Sequence, residues 1–124
     1  MHLQPSEKSI PAAGTQLHLV LQPVGEDISI LLYGGEKPHI GCTVMAVPRP
    51  SLKGDGSVSC TSSVLNLTGH KDEAICRYAA EKICAAYNAV TVCAGGFHID
   101  DIRPEQISEV RNAVEILIDE VIRS

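Results

Sequence analysis

The sequence has no tryptophan and few other aromatic residues, so large rings cannot dominate its core. Aromatic residues make up 3% of the 124 residues, whereas apolar residues make up 44%, a share typical of globular domains. We expect a single domain with an aliphatic core of Leu, Ile, Val, Ala and Cys. No apolar run approaches the ~20 residues that span a bilayer. The first 14 residues also lack the apolar region of a signal peptide, so we expect a cytoplasmic protein with no membrane partner.

Basic residues are not in excess, and the cysteines have no zinc-site spacing. The formal net charge is -5, which argues against nucleic-acid or acidic membrane partners. The cysteines number five, an odd count, and no two form a C-x-x-C pair. We interpret them as reduced, small apolar residues of the interior. They are Cys42, Cys60, Cys76, Cys84 and Cys93.

Alternating apolar residues predict most of the sheet. Residues 1–14 are polar and interrupted by two prolines, so we expect a flexible N-terminal arm ahead of one domain over residues 15–124. Period-two patterns and a short β-branched run predict strands at 15–22, 28–33, 39–47, 57–65 and 89–94. Apolar stripes predict helices over 70–87 and from Pro104 onward. The order β-β-β-β-α-β-α indicates an α+β fold: two helices on a mostly antiparallel sheet of five to six strands.

A polar stretch at the start of the first predicted helix is a candidate anion site. Thr68 and Gly69 keep the approach to the helix small, and His70 and Lys71 add donors and positive charge. Unpaired N–H groups and the helix dipole favour phosphate at such a position. The spacing is not that of a P-loop or a dinucleotide fingerprint. An ordinary helix cap with an exposed His and Lys explains the same residues.

Three histidines stand beside glycines where predicted elements begin or end: His39, His70 and His98. Converging imidazoles could hold a divalent metal with help from Asp100 or Asp72. They could equally line a polar ligand pocket, or they could be unrelated loop residues. The sequence shows no nucleophile elbow and no evident pair of acid and base carboxylates. A binding module is therefore favoured over a catalyst.

Glycines near these histidines suggest close approach to the backbone. Gly41 lies inside a predicted strand, which indicates either a bend or something packed against the main chain. Gly95 and Gly96 follow the fifth predicted strand, and we expect residues 95–101 to form a flexible loop at its carboxyl end. A flat ring could approach such a glycine-lined face closely.

Four short segments together resemble one protein family. They are Lys37–Gly41, Gly69–Asp72, Gly96–Asp100 and Ile102–Ile107. In order and spacing they resemble the prenylated-flavin chaperone family, the LpdD-like accessory proteins associated with gallate decarboxylase, over roughly residues 14–122. The resemblance implies a non-catalytic accessory protein that binds prenylated FMN, or a similar flavin phosphate, and protects it or delivers it to a UbiD-type (hydroxy)aryl acid decarboxylase. It also implies a proteasome-assembly-chaperone-like fold, a homodimer or higher oligomer, and possible contact with a flavin prenyltransferase.

The resemblance also implies which residues bind the cofactor. The site histidines would be His39, His70 and His98. Gly69 and Lys71 would lie at the phosphate end, and Asp100 would lie beside His98. Gly41 and Gly96 would line the site. A divalent metal, if bound, would be held by His39, His70 and His98, the same histidines that would bind the cofactor. Arg103 departs from the family pattern, which has a Thr-like cap before Pro104. A small metal-dependent enzyme and a structural dimer or assembly component are the alternative functions.

Overall fold

A computed structural model of the chain describes residues 3–67 and 71–124. Its elements in chain order are β1 (Ser6–Ala12), β2 (Thr15–Val24), β3 (Asp27–Gly35), β4 (Cys42–Pro50), β5 (Val58–Asn66), α1 (Lys71–Tyr87), β6 (Thr91–His98) and α2 (Pro104–Arg123). Neither helix is long and apolar enough to span a membrane in this part of the chain.

The strands form one six-stranded mixed sheet in the order β1-β2-β3-β6-β4-β5. Chain neighbours pair as antiparallel hairpins: β1 with β2, β2 with β3, and β4 with β5. Strand β6 is inserted between β3 and β4, parallel to the first and antiparallel to the second. The predicted α+β fold, with a mostly antiparallel sheet and two helices, is confirmed.

The N-terminal segment is more ordered than its prolines suggested. The prediction of an arm without regular structure is wrong for Ser6–Ala12, which pairs antiparallel with β2 at the edge of the sheet. Pro11 is tolerated there because an edge strand does not need every N–H for pairing. Ile10 and Ala12 turn toward the core, so a short alternation that looked too polar is sufficient at an edge.

Two strand boundaries near the histidines also differ from the sequence prediction. Strand β4 begins at Cys42 instead of residue 39, and Ile40 is 57% exposed instead of buried. Strand β6 runs on to His98, so the expected loop is wrong for Gly95–His98. The reason is tertiary, because β6 pairs with β3 along its whole length, from Ile28 opposite Thr91 to Gly35 opposite His98. Pairing on that side overrides the weak strand propensity of glycine.

Both helices cover the same face of the sheet. Helix α1 packs on β4, β5 and β6, and α2 packs on β1, β2 and α1. The inward residues of the strands are aliphatic and alternate as the sequence predicted. In β2 and β3 they are Leu17, Leu19, Leu21, Ile28, Ile30 and Leu32. The core is therefore a single layer between sheet and helices, with buried cysteines filling the spaces where α1 meets the sheet.

The opposite face of the sheet is not covered by any described element. Its outward side chains include Leu31, Met45 and Leu65, which are 43%, 46% and 76% exposed. A stripe of hydroxyl side chains on β5 alternates with the inward residues and belongs to this face, with Thr61 and Ser63 exposed. The centre of the open face is thus apolar, and one margin is lined with hydroxyls.

The helix ends follow local chemistry. Asn88, after α1, adopts a left-handed conformation with φ 51°, which is common where a helix ends. Pro104 opens α2, and the Gln106 side chain accepts a hydrogen bond from the Arg103 backbone N–H at 2.9 Å. That bond supplies half of a capping box without a Thr-like residue. Arg103 therefore leaves the start of α2 intact.

Replacing Ile118 in α2 with Ala should destabilise the domain strongly. Ile118 is fully buried between α2 and the rest of the core, so Ile118→Ala leaves a cavity. We expect a loss of about 2–5 kcal/mol in the free energy of unfolding, measured by urea denaturation. Ile116→Ala is the matched control on the same helix, because Ile116 is 46% exposed. Equal losses in the two variants would contradict this account of the core.

Candidate functional site

The candidate site lies where β6 extends past the start of β4. The last register pair of these two strands is Cys42 opposite Gly95. One residue earlier in the chain, the Gly41 N–H donates to the Gly95 carbonyl at 2.9 Å. Phe97 and His98 continue the strand with β3 on one side only. The amide groups beyond Gly95 therefore need acceptors other than β4.

Asp72, in the first turn of α1, supplies the missing acceptor. Its Oδ1 accepts a hydrogen bond from the Phe97 backbone N–H at 2.9 Å. Its Oδ2 lies 3.1 Å from Nε2 of His39. The Asp72 side chain is only 12% exposed. One carboxylate thus joins the end of β6, the start of α1 and the segment ahead of β4.

Two glycines make room for this carboxylate. A Cβ atom on Gly41 would overlap the Asp72 carboxylate and come within 2.8 Å of His39 Nε2. A Cβ atom on Gly96 would lie 2.9 Å from both the Asp72 Oδ2 and the His39 Nε2. Real Cβ atoms do not approach so closely, so both positions require glycine unless the side chains move. The close approach that Gly41 suggested involves the chain's own carboxylate and imidazole.

His39 is held between two acceptors. Its Nδ1 lies 3.2 Å from the Lys37 carbonyl oxygen, and its Nε2 faces the Asp72 carboxylate. A neutral imidazole has one N–H donor, whereas an imidazolium has two. Both contacts are hydrogen bonds at the same time only when the ring carries both protons. The two contacts fix the orientation of the imidazole against Asp72.

His98 lies beside His39, and its own partner is Asp100. The two imidazole centroids are 6.2 Å apart, with the rings nearly perpendicular at 84°. Nε2 of His98 lies 2.9 Å from Asp100 Oδ1, and Lys37 Nζ lies 3.3 Å from the same oxygen. The His98 hydrogen bond and then Lys37 lower the pKa of Asp100. The mouth of the site therefore carries acidic and basic groups in close pairs.

An apolar cavity of about 200 Å³ adjoins this cluster between the starts of the two helices. Its apolar walls are Ala74, Ile75, Phe97, Ile102, Ile107 and Val110. Asp72 and Arg111 are the polar residues that line it. Sequence reasoning missed this cavity. The sequence places Ile107 in the apolar stripe of α2. Only the structure shows that this side chain is 37% exposed and lines a cavity.

Buried thiols form the interior next to the site. All five cysteines are free, four are buried, and Cys60 is partly buried. Burial, reinforced by the neighbouring Cys76, raises the pKa of the Cys42 thiol to about 12. Burial likewise raises the pKa of the Cys84 thiol to about 11. Both thiols are therefore protonated at neutral pH and pack as small apolar groups, as the sequence suggested.

A family model described as "Prenylated flavin chaperone LpdD-like domain" matches residues 12–124. The chain belongs to this family. No curated protein matches the sequence. A solved structure titled "Crystal Structure of a Novel Chaperone Complex for Yeast 20S Proteasome Assembly" matches the LpdD-like fold with a TM-score of 0.56 and 14% identity, over 98% of this chain and 99% of that one. At that identity the likeness shows the fold alone, and it confirms the proteasome-assembly-chaperone-like architecture.

The structure brings together five of the predicted site residues of this LpdD-like domain. Clustered at the end of β6 are His39, Gly41, Gly96, His98 and Asp100. Gly69 and His70 lie outside the described residues, and so does the side chain of Lys71. A site with all three histidines stays a prediction. Within residues 3–67 and 71–124, no group of three or more His, Cys, Asp or Glu side chains could hold a metal ion.

Asp72, Phe97 and Lys37 are the parts of the cluster that sequence reasoning did not assign to the cofactor site. The sequence suggested Asp72 only as a possible metal ligand. Its role as acceptor for the Phe97 N–H arises because β6 extends beyond β4. Phe97 contributes a backbone N–H, which no residue type reveals. Lys37 reaches Asp100 across 63 positions of sequence.

The crowding at Gly41 predicts a measurable coupling with Asp72. Gly41→Ala should destabilise the LpdD-like domain by about 1–3 kcal/mol, because the new methyl displaces the Asp72 and His39 side chains. Asp72→Ala should cost about 1–3 kcal/mol, because the Phe97 amide loses its acceptor. In the double variant the two costs should not add, since the methyl then occupies vacated space.

Urea denaturation of the four proteins in this cycle gives the coupling energy. Hydrogen exchange at the Phe97 amide should speed up in Asp72→Ala, which reports the loss of the hydrogen bond directly. Additive costs, or unchanged exchange at Phe97, would show that Asp72 does not close the strand end.

Proposed function

We propose that this chain binds prenylated FMN at the end of β6 and protects it or hands it to a UbiD-type (hydroxy)aryl acid decarboxylase, without catalysing a reaction itself. The family description supports the cofactor class. The observation that carries the choice of site is the pair of imidazoles, His39 and His98, held 6.2 Å apart beside glycine backbone and an apolar cavity.

The residues present fit the two halves of such a cofactor. A flavin ring needs flat or apolar surfaces to pack against, which the His39 and His98 imidazoles and the rim of the adjoining cavity offer. A phosphate needs donors and positive charge, and the sequence supplies His70 and Lys71 at the start of α1. We assign the phosphate to that end, with Gly69. Prenylated FMN, when bound, supplies the reactive ring system that a decarboxylase uses.

The acidic first turn of α1 does not repel such a ligand as strongly as its charge suggests. Asp72 is paired with His39, and Glu73 is paired with Arg77 at 2.7 Å. Arg77 offsets the charge of Glu73, and the Asp72 carboxylate is occupied by its contacts with His39 and the Phe97 amide. The site keeps hydrogen-bonding capacity without a large net negative field.

The cluster suits holding a cofactor better than transforming a substrate. His39 and Asp72 hold each other and the strand end, and the neighbouring Cys42 thiol is protonated. His98 is 44% exposed at the mouth, so a bound cofactor would remain accessible to a receiving protein. Accessible binding by fixed groups is what reversible delivery requires.

Removing either imidazole should weaken flavin binding. Co-expression with a flavin prenyltransferase under anaerobic conditions should yield protein carrying prenylated FMN, seen in ultraviolet-visible and mass spectra. His39→Ala and His98→Ala should each weaken binding roughly 10- to 100-fold, the effect of losing one charge-assisted hydrogen bond. His18→Ala is the matched control, because His18 stacks on Tyr33 and hydrogen-bonds Ser9, and its strand β2 is separated from β6 by β3.

Delivery is tested by mixing the loaded protein with a UbiD-type apo-decarboxylase. Activity should appear faster than with free cofactor, and the His39→Ala protein should lose this advantage. If the wild-type protein takes up no prenylated FMN anaerobically, the proposed function is wrong. Uptake without transfer would leave a storage or protective role.

We also propose that two copies associate through the open face of the sheet. The exposed apolar side chains at its centre, Leu31 and Met45 among them, favour a protein partner. Leu31→Lys should convert a dimer to a monomer in size-exclusion chromatography with light scattering. Ile116→Lys, on the outer side of α2, is the control that should leave the mass unchanged. A monomeric wild-type protein would overturn the dimer.

The remaining assignments keep the status of predictions. A divalent metal on His39, His70 and His98, and with it a small metal-dependent enzyme, has no specific support in the described part of the chain. Contact with the flavin prenyltransferase and a cytoplasmic location follow from the proposed role.

A further inference from the structure

We propose that the apolar cavity between the starts of α1 and α2 receives the prenyl-derived carbons of the cofactor and so makes the protein selective for prenylated FMN over FMN. This inference rests on the proposed function and adds a specificity site to it. The residues that would confer selectivity are Ala74, Ile75, Ile102, Ile107 and Val110.

Two residues connect the cavity to the imidazole pair. Asp72 lines the cavity and faces His39, and Phe97 lines the cavity while its backbone N–H binds Asp72. A flavin ring that lies against the His39 and His98 imidazoles therefore has the cavity as its immediate neighbour. The prenyl-derived carbons, which are fused to one edge of the ring system, have an apolar recess to enter.

The size of the cavity matches the size of the group. A prenyl unit has five carbon atoms. Cavities of roughly 150 Å³ lined by aliphatic and aromatic side chains bind benzene, which has six. The cavity here measures about 200 Å³ and has six apolar lining residues. It therefore has room for a five-carbon unit.

The polar residues of the lining do not oppose an apolar occupant. Both carboxylate oxygens of Asp72 already have hydrogen-bond partners, Phe97 and His39. Arg111 is exposed to solvent, so its guanidinium can stay in water at the rim. FMN lacks the prenyl carbons and would leave the apolar walls in contact with water. The difference between the two flavins is thus concentrated in this recess.

Filling the recess should abolish the discrimination. Affinities of the full chain for prenylated FMN and for FMN are measured anaerobically by titration calorimetry or flavin fluorescence. The wild-type protein should bind prenylated FMN at least ~10-fold more tightly, as expected for added carbon atoms in an apolar pocket. Ala74→Leu should lower that ratio toward one, because the added bulk weakens the binding of prenylated FMN more than the binding of FMN. Ala74 is exposed and helical, so the change adds bulk without disturbing the core.

Ala86→Leu is the matched control, since Ala86 is exposed on the same helix and does not line the cavity. It should retain the wild-type ratio. Ile107→Ala, which enlarges the recess, should reduce the ratio as well, and Ile116→Ala should not.

The outcomes separate this inference from the proposed function. Equal affinity of the wild-type protein for both flavins would overturn the cavity assignment and leave flavin binding standing. An equal loss of affinity for both flavins in Ala74→Leu would do the same. Binding of neither flavin would overturn the proposed function and the inference together. Loss of the ratio in Ala74→Leu, with the control unchanged, is the result expected.

Discussion

Where β6 extends beyond β4, its backbone N–H groups need another hydrogen-bond acceptor. In this protein the Asp72 carboxylate is that acceptor. Strand β4 stops pairing with β6 at Gly95, so the Phe97 amide faces a side chain instead of a strand. A charged acceptor makes a stronger bond to an amide than a neutral carbonyl does. The other features of the site depend on this contact: the orientation of the His39 imidazole, the two glycines and the position of α1.

The aliphatic core allows this arrangement by fixing the helices against one face of the sheet. Helix α1 rests on β4, β5 and β6 through small residues, among them Cys76, Ala79 and Ala80, so its axis can lie close to the strands. Close packing places the first turn of α1 level with the end of β6. Helix α2 then closes the layer, and the space between the two helix starts becomes the apolar cavity.

Periodicity predicted the elements well and the site only in part. Alternation of Leu and Ile located β2 and β3, because residues that face a core must recur every second position in a strand. It failed at Ser6–Ala12 and Gly95–His98, where pairing with β2 and β3 decides the structure and propensity does not. Histidines beside glycines indicated the region of the site. The role of Asp72 could not be predicted, because it depends on the relative lengths of two strands that are distant in sequence.

The two contacts of Asp72, with the Phe97 amide and with His39, limit which positions of such a protein can change in evolution. The same side chain secures a sheet margin and orients the imidazole that we assign to the ligand. Substitution of Asp72 would weaken folding and ligand recognition together. Gly41 and Gly96 share the constraint, since a methyl group at either position must displace the carboxylate or the imidazole. Sequence change is therefore easier at the recess walls, because Ala74 and Ile107 take no part in the hydrogen bonds of Asp72. Related chains could thus acquire different cofactor preferences on an unaltered scaffold.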